Sequence, residues 1–224
     1  MGWKTFFQMT QEQFKEKYEK AEKWGQLLPV LIQLTNATTE NIYGAGFITD
    51  TVQSYTYSET IQHFLGAKTK LTAKYIIGFK AGATGKLAIY IGFYKNGEFS
   101  KDPEGHSLFG VMHVLDQALT YDVAEKHEFT VETQDSKITL YVDGEKIGEY
   151  QLESPLKSYV YALYIPELSG GTAFIAIYEV KGEYYDVFED MINSMMNIMW
   201  IMMIVMIIVM GISMVVRAFR GKGS

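Results

Sequence analysis

With 224 residues there is room for one domain of ordinary size plus an appendage, and the lack of any cysteine excludes a disulfide framework, a thiol nucleophile and thiolate metal sites. The net charge of −6 is held unevenly: Arg217, Arg220 and Lys222 are the only charged residues after position 190, which leaves −9 on residues 1–190. An acidic body with no Lys/Arg cluster excludes sequence-specific nucleic-acid contact, where phosphate neutralisation dominates affinity.

The first residues, Met1 to Gln8, hold no apolar run of secretory length, and Lys15, Glu16 and Lys17 follow soon after. No signal peptide is expected, and Phe6 stands where myristoylation requires Ser or Thr. Thr10 to Gln13 has the form of a capping box. Beyond it Phe14, Tyr18 and Ala21 recur at i, i+4 and i+7 in a charged, helix-forming stretch that reaches Trp24, before Gly25 and Pro29 stop the pattern. Residues 1–28 are therefore expected to be an N-terminal amphipathic helix.

From Pro29 onward the chain turns to β-branched and aromatic residues in short runs divided by turn residues. Strands are expected near 29–35, 44–53, 55–65, 69–80, 86–95, 107–115, 127–133, 137–143, 146–152, 158–165 and 172–181. Asn96-Gly97 and Asp143-Gly144 signal hairpins. The runs from Lys70 to Phe79 and from Lys86 to Phe93 open with the alternation of a sheet that buries one face. Strands at this spacing, with no helical pattern between them, predict a mainly β, antiparallel sandwich over 29–182.

One segment carries a family resemblance. His127 opens a strand, a short turn follows, and Leu140-Tyr141-Val142-Asp143-Gly144 leads into a return strand ending near Ile147. This resembles the hairpin of concanavalin A-like (laminin-G-like) jelly rolls, and residues 172–180 resemble their closing strand. The likeness covers about 44–181. It implies a jelly-roll fold in which Asp143-Gly144 make a turn and Tyr141 packs, and it does not imply an activity.

Motifs for chemistry are few. Glycosidases of this fold carry Glu-x-Asp-x-Glu on a central strand, a pair of carboxylates for acid and nucleophile, and the sequence has no such triplet. Asp102, Glu104 and Asp116 come nearest to a Ca²⁺ loop but lack its spacing. The histidines, His63, His106, His113 and His127, form no H-x-x-x-H pair; His106 and His113 are the two that could approach each other. Gly82 to Leu87 hints at a phosphate loop and fails, because Lys80 replaces its first glycine and Leu87 its last hydroxyl residue; a hairpin turn accounts for it better. Asn36-Ala-Thr38 is a glycosylation sequon, and the 16 Tyr and 13 Phe could supply a sugar-stacking platform. No catalytic residue, metal or cofactor is assigned, and the chain is expected not to be an enzyme.

Residues 183–194 read as a juxtamembrane segment. Residues 195–216 read as a transmembrane helix and 217–224 as a basic tail. From Ile198 to Val216 the only clearly polar side chain is Ser213, and 19 residues at ~1.5 Å each approach the ~30 Å hydrocarbon core. Acidic residues precede this span and Arg217, Arg220 and Lys222 follow it, which places the tail inside and the domain outside, with Trp200 near one interface. An outside domain without an export signal fits a virion with a membrane, assembled within its host. Nine of the twelve methionines lie between 191 and 214, in an arc of about 140° at 100° per residue. Met195, Met199, Met202, Met206 and Met210 are thus expected to form a helix interface. Thioethers one turn apart also suit Cu(I), but with no cysteine or nearby histidine, adaptable packing is the better account.

The sequence therefore predicts a membrane-anchored sandwich, a structural or attachment component of a virion. A cell-surface carbohydrate- or protein-binding module, or an accessory subunit of a membrane complex, is the alternative. Its expected partners are a lipid bilayer, proteins met through the helix (as a homo-oligomer or larger assembly) and a glycan.

Overall fold

The computed structural model describes residues 3–20, 29–33, 41–49, 54–60, 68–95, 98–99, 101–153, 158–169 and 171–220. Two units result: a sandwich, Trp3–Tyr185, and a helical unit from Asp186 onward.

In chain order the sandwich runs through β1 (Trp3–Met9), α1 (Gln11–Lys20), β2 (Pro29–Gln33), β3 (Asn41–Thr49), β4 (Ser54–Thr60), β5 (Lys68–Phe79) and β6 (Thr84–Lys95). It continues with β7 (Glu98–Phe99), β8 (Leu108–Leu115), β9 (Val123–Gln134), β10 (Lys137–Val142), β11 (Glu145–Gln151), β12 (Ser158–Ser169) and β13 (Ala173–Tyr185). One antiparallel sheet has the order β11-β10-β9-β5-β13-β3-β2, with β1 also on β13. The other has the order β4-β12-β6-β7, with β8 also on β6. The expected mainly β, antiparallel jelly-roll sandwich is the fold observed.

Alternation places the main core between the sheets, and Ile76, Phe174 and Ala176 form a smaller buried cluster of their own. Leu71, Ala73, Tyr75, Ile77 and Phe79 of β5 turn inward, as do Leu87, Ile89, Ile91 and Phe93 of β6, and none is more than 5% exposed. The β5–β6 turn is not the expected hairpin. Lys80 to Ala83, closed by Ala83 N–H to Lys80 O at 3.0 Å, carries the chain from one sheet to the other. Asp143-Gly144 is the hairpin turn expected, with φ of 51° and 84° at its two residues. The return strand is shifted by a bulge between Leu140 and Tyr141.

The N-terminal segment corrects the sequence reading. Only Gln11–Lys20 is helical among its described residues, and Trp3–Met9 is a strand paired with β13, from Met9 opposite Val180 to Trp3 opposite Tyr185. The cause is tertiary. Pairing of β3 with β13 stops at Ile177, so the second half of β13 needs another neighbour, and β1 supplies it. The capping box is formed: Thr10 N–H donates to Gln13 Oε1 at 2.8 Å, and Gln13 N–H to Thr10 Oγ1 at 3.3 Å. The sequon at Asn36, the Asn96-Gly97 turn and His63 lie outside the described residues.

The helical unit is α2 (Val187–Arg220), 34 residues without interruption. It includes most of the segment expected to be juxtamembrane as well as the start of the basic tail. Met191–Met214, 24 residues, is long and apolar enough to cross a bilayer, and Ser213 Oγ donates to Met210 O at 2.8 Å, which satisfies that hydroxyl within the helix.

Candidate functional site

Polar groups converge at one place inside the sandwich. Tyr75 of β5 and His127 of β9 are register partners, so both turn inward. His113 of β8 faces them from the opposite sheet. The Tyr75 hydroxyl lies 2.6 Å from His113 Nε2, and the His113 and His127 rings stack with centroids 4.5 Å apart. His127 Nδ1 meets Asp143 Oδ2 at 2.7 Å, and Asp143 Oδ1 accepts the Glu128 N–H at 2.8 Å.

Electrostatics assigns the protons. Burial, with the charge of Asp143 adding to it, pushes the Tyr75 hydroxyl well above the usual phenol range, so it stays protonated and donates. Burial first, and then the neighbouring His127, lower His113 to about 4, so near neutrality its Nε2 is an acceptor and its proton sits on Nδ1. Burial would raise Asp143. The hydrogen bonds from His127 and the Glu128 amide outweigh it and hold the carboxyl below its ordinary value. The ionised Asp143 therefore accepts from His127 Nδ1, which orients the ring and directs Nε2 toward Glu125. That nitrogen lies 3.4 Å from Glu125 Oε2, within reach of an ion pair, yet it is buried without a hydrogen-bond partner among the described residues.

Beside this cluster lies a cavity of about 330 Å³, lined in part by Ile77, Phe79, His113, Leu115, Val123 and Glu125. It exists because β10 pairs with β9 only as far as Val142 opposite Phe129. The first half of β9 therefore has no strand on that side among the described residues. The other end of the same gap is closed: Tyr150 of β11 packs on Phe109 with ring centroids 4.8 Å apart. A cavity where apolar side chains meet convergent polar groups and perturbed titration has features of a binding or reactive site. Chemically, Asp143 fixes the orientation of the His127 ring, and Glu125 places a carboxyl group at the mouth of the cavity.

The structure sorts the sequence candidates. His106 does not meet His113. It turns back on Asp102, whose Oδ2 lies 2.9 Å from its Nδ1 while Oδ1 accepts the N–H groups of His106 and Glu104 at 2.7 and 3.1 Å. Asp102, Glu104 and His106 bring ligand atoms within 4.8 Å of one another, but Asp102 already caps its own loop, and Asp116 is not in the group. Met195, Met199, Met202, Met206 and Met210 lie on one arc of α2, each 54–62% exposed, and Trp200 is 57% exposed. Arg217 and Arg220 fall within α2, and Lys222 lies outside the described residues. Sequence reasoning missed Tyr75 and Glu125, and it took His127 only as the opening of a hairpin.

No family model matches the chain, and no curated protein does. Among solved structures it is similar to a marine alginate lyase from Zobellia galactanivorans, at 10% identity over 64% of this chain and 80% of that one, TM-score 0.37. A family 7 alginate lyase in complex with product has 12% identity over 63% and 80%, TM-score 0.39. A legume lectin-like domain from Entamoeba histolytica has 11% identity over 64% and 81%, TM-score 0.37. Likenesses this low assign no activity to the chain. The expectation that the chain is not an enzyme is corrected all the same, since lyases stand among the structures similar to it; taken by itself, the missing Glu-x-Asp-x-Glu triplet excludes one chemistry only.

Proposed function

We propose that this protein is a bilayer-anchored, concanavalin A-like sandwich that serves as a structural or attachment component of a larger assembly, in the membrane of a virion or at a cell surface. The observation that carries the reading is α2. Its stretch from Met191 to Met214 contains no charged residue, every large apolar side chain in it is 42–68% exposed, and a bilayer is the solvent that suits such a surface. Acidic residues before it and Arg217, Arg220 and Lys222 after it support a sandwich on the outer side. The methionine arc gives α2 a face for another helix, in a homo-oligomer or with a different subunit. Protease protection of the full chain in sealed vesicles and in purified particles tests this. Digestion of the sandwich, with α2 and the tail protected, is the expected result, and a chain that stays soluble after alkaline extraction overturns it.

A second observation favours a glycan as the attachment ligand. Tyr121, on the loop before β9, is 64% exposed. Rings displayed on loops are platforms for the apolar face of a sugar. Binding of the full chain in detergent to a glycan array, lost in Tyr121→Ala, is the expected outcome; the same spots should be checked for shortened glycan, which separates holding from cleaving.

A further inference from the structure

Edges of sheets are guarded in most proteins by charge, proline or bulges, because an unpaired row of N–H and C=O groups is a template for another strand. Three edges here follow that rule. β11 carries Glu145, Lys146 and Glu149 and faces a bulge, β4 contains Glu59 among hydroxyl residues, and β2 begins at Pro29. β8 does not. Leu-Phe-Gly-Val-Met-His-Val-Leu, residues 108–115, has no Asp, Glu, Lys, Arg or Pro, and among the described residues it pairs with β6 alone. Leu108, Met112 and Val114 stand 43%, 44% and 50% exposed on its outer face.

A second open edge borders the same place. The stretch of β9 from Val123 to His127 pairs with β5 and has no described strand on its other side. Between the two edges lies the cavity of about 330 Å³, roughly twice the ~150 Å³ that suffices to hold a benzene ring. We infer that this opening is a strand-accepting groove. An extended peptide segment of a protein partner pairs with β8, sends apolar side chains into the cavity, and presents a cationic side chain to Glu125. Main-chain bonds supply affinity in such augmentation, and pockets for alternate side chains supply specificity.

The choice of occupant follows from the geometry and the charge. A second copy joining β8 to β8 would leave the cavity empty, because its own Phe109, Val111, His113 and Leu115 are already committed to its own interior. Two sandwiches of the same negative sign would also repel. A free segment has unburied side chains on both faces, and Glu125, with 61% of its side chain exposed, selects a basic one. This goes beyond the anchoring role and does not depend on which membrane is occupied.

The test uses the full chain in detergent micelles, panned against a random octapeptide display library and counter-selected on Val114→Lys, a change at an exposed position that places a guarding charge on the edge. The expected pool alternates apolar residues and carries Lys or Arg. A synthetic peptide from it should lose roughly tenfold or more in affinity to Val114→Lys and about tenfold to Glu125→Gln. Amide hydrogen exchange along residues 108–115 should slow when the peptide is added to the unaltered chain, a readout that needs no variant to fold. Three results overturn the inference: no enrichment beyond the counter-selection, a pool without basic residues, or self-association of the chain that Val114→Lys abolishes, which would make a second copy the occupant.

Discussion

Ile89 and Ile204 are chemically identical, yet one is fully buried in the sandwich and the other is 53% exposed on α2; Met9 and Met206 differ in the same way, at 4% and 58%. In the sandwich, apolar residues tend to alternate with polar ones because one face of most strands meets the opposing sheet, while Ile76 and Phe174 are buried in a second, smaller cluster. In α2 the apolar residues occupy the whole circumference, because lipid would surround it evenly. With α2 in a bilayer, as proposed, the two regions solve the same burial problem with different solvents. Their stabilities should respond to different substitutions.

The largest expected effect is in the core. Phe129→Ala, at a fully buried position, should cost about 3–5 kcal/mol of sandwich stability, measured by denaturant unfolding, with membrane association of the chain unchanged. Met206→Arg should do the reverse. A charge at mid-span costs about 2.5–3.5 kcal/mol of insertion, read by flotation with vesicles, while the sandwich melts as before. A fall in both quantities for either variant would break the separation of the two regions.

Smaller effects sharpen it. Gly144→Ala forces a Cβ into a φ of +84° and should cost roughly 1–2 kcal/mol, visible as a lower melting temperature. Acidification should act on the sandwich and not on α2, which has no titratable group between Met191 and Met214. His113 sits at about 4 when folded, below its ordinary 6.5. Between those values the unfolded chain binds a proton that the folded one refuses, so stability is full above about 6.5 and is lost as pH falls toward 4. His113→Asn should flatten that slope in melting curves recorded across the range; an unchanged slope would assign it to other groups.

Most of the scaffold was legible because it is local. Alternation along Lys70–Phe79 marked β5, and the Asp143-Gly144 pair marked a turn that both residues adopt with positive φ. The form Thr10 to Gln13 marked a helix start that both side chains make. β1 was not legible, since residues 1–28 read as one helical segment until the half of β13 that β3 does not pair is known. The site was legible only in fragments. Tyr75 and His113 are 38 residues apart, and Thr69 and Thr133, whose buried hydroxyls meet across β5 and β9, are 64 apart. No periodicity in the chain encodes such pairings.

By itself, then, the sequence determined the patterning of each region: a period of two in the sandwich strands, and in the helix an uncharged apolar stretch long enough to cross a bilayer. It also settled the charge that flanks α2, a property of residue identity alone. Only the tertiary structure decided that β5 and β6 lie in opposite sheets, that β10 stops at Val142 and leaves half of β9 without a strand on that side among the described residues, and that His113 faces His127 across the gap. Strand order and strand length against a neighbour depend on contacts far apart in the chain. The cavity beside Glu125, and the edge that would accept another strand, are consequences of those contacts.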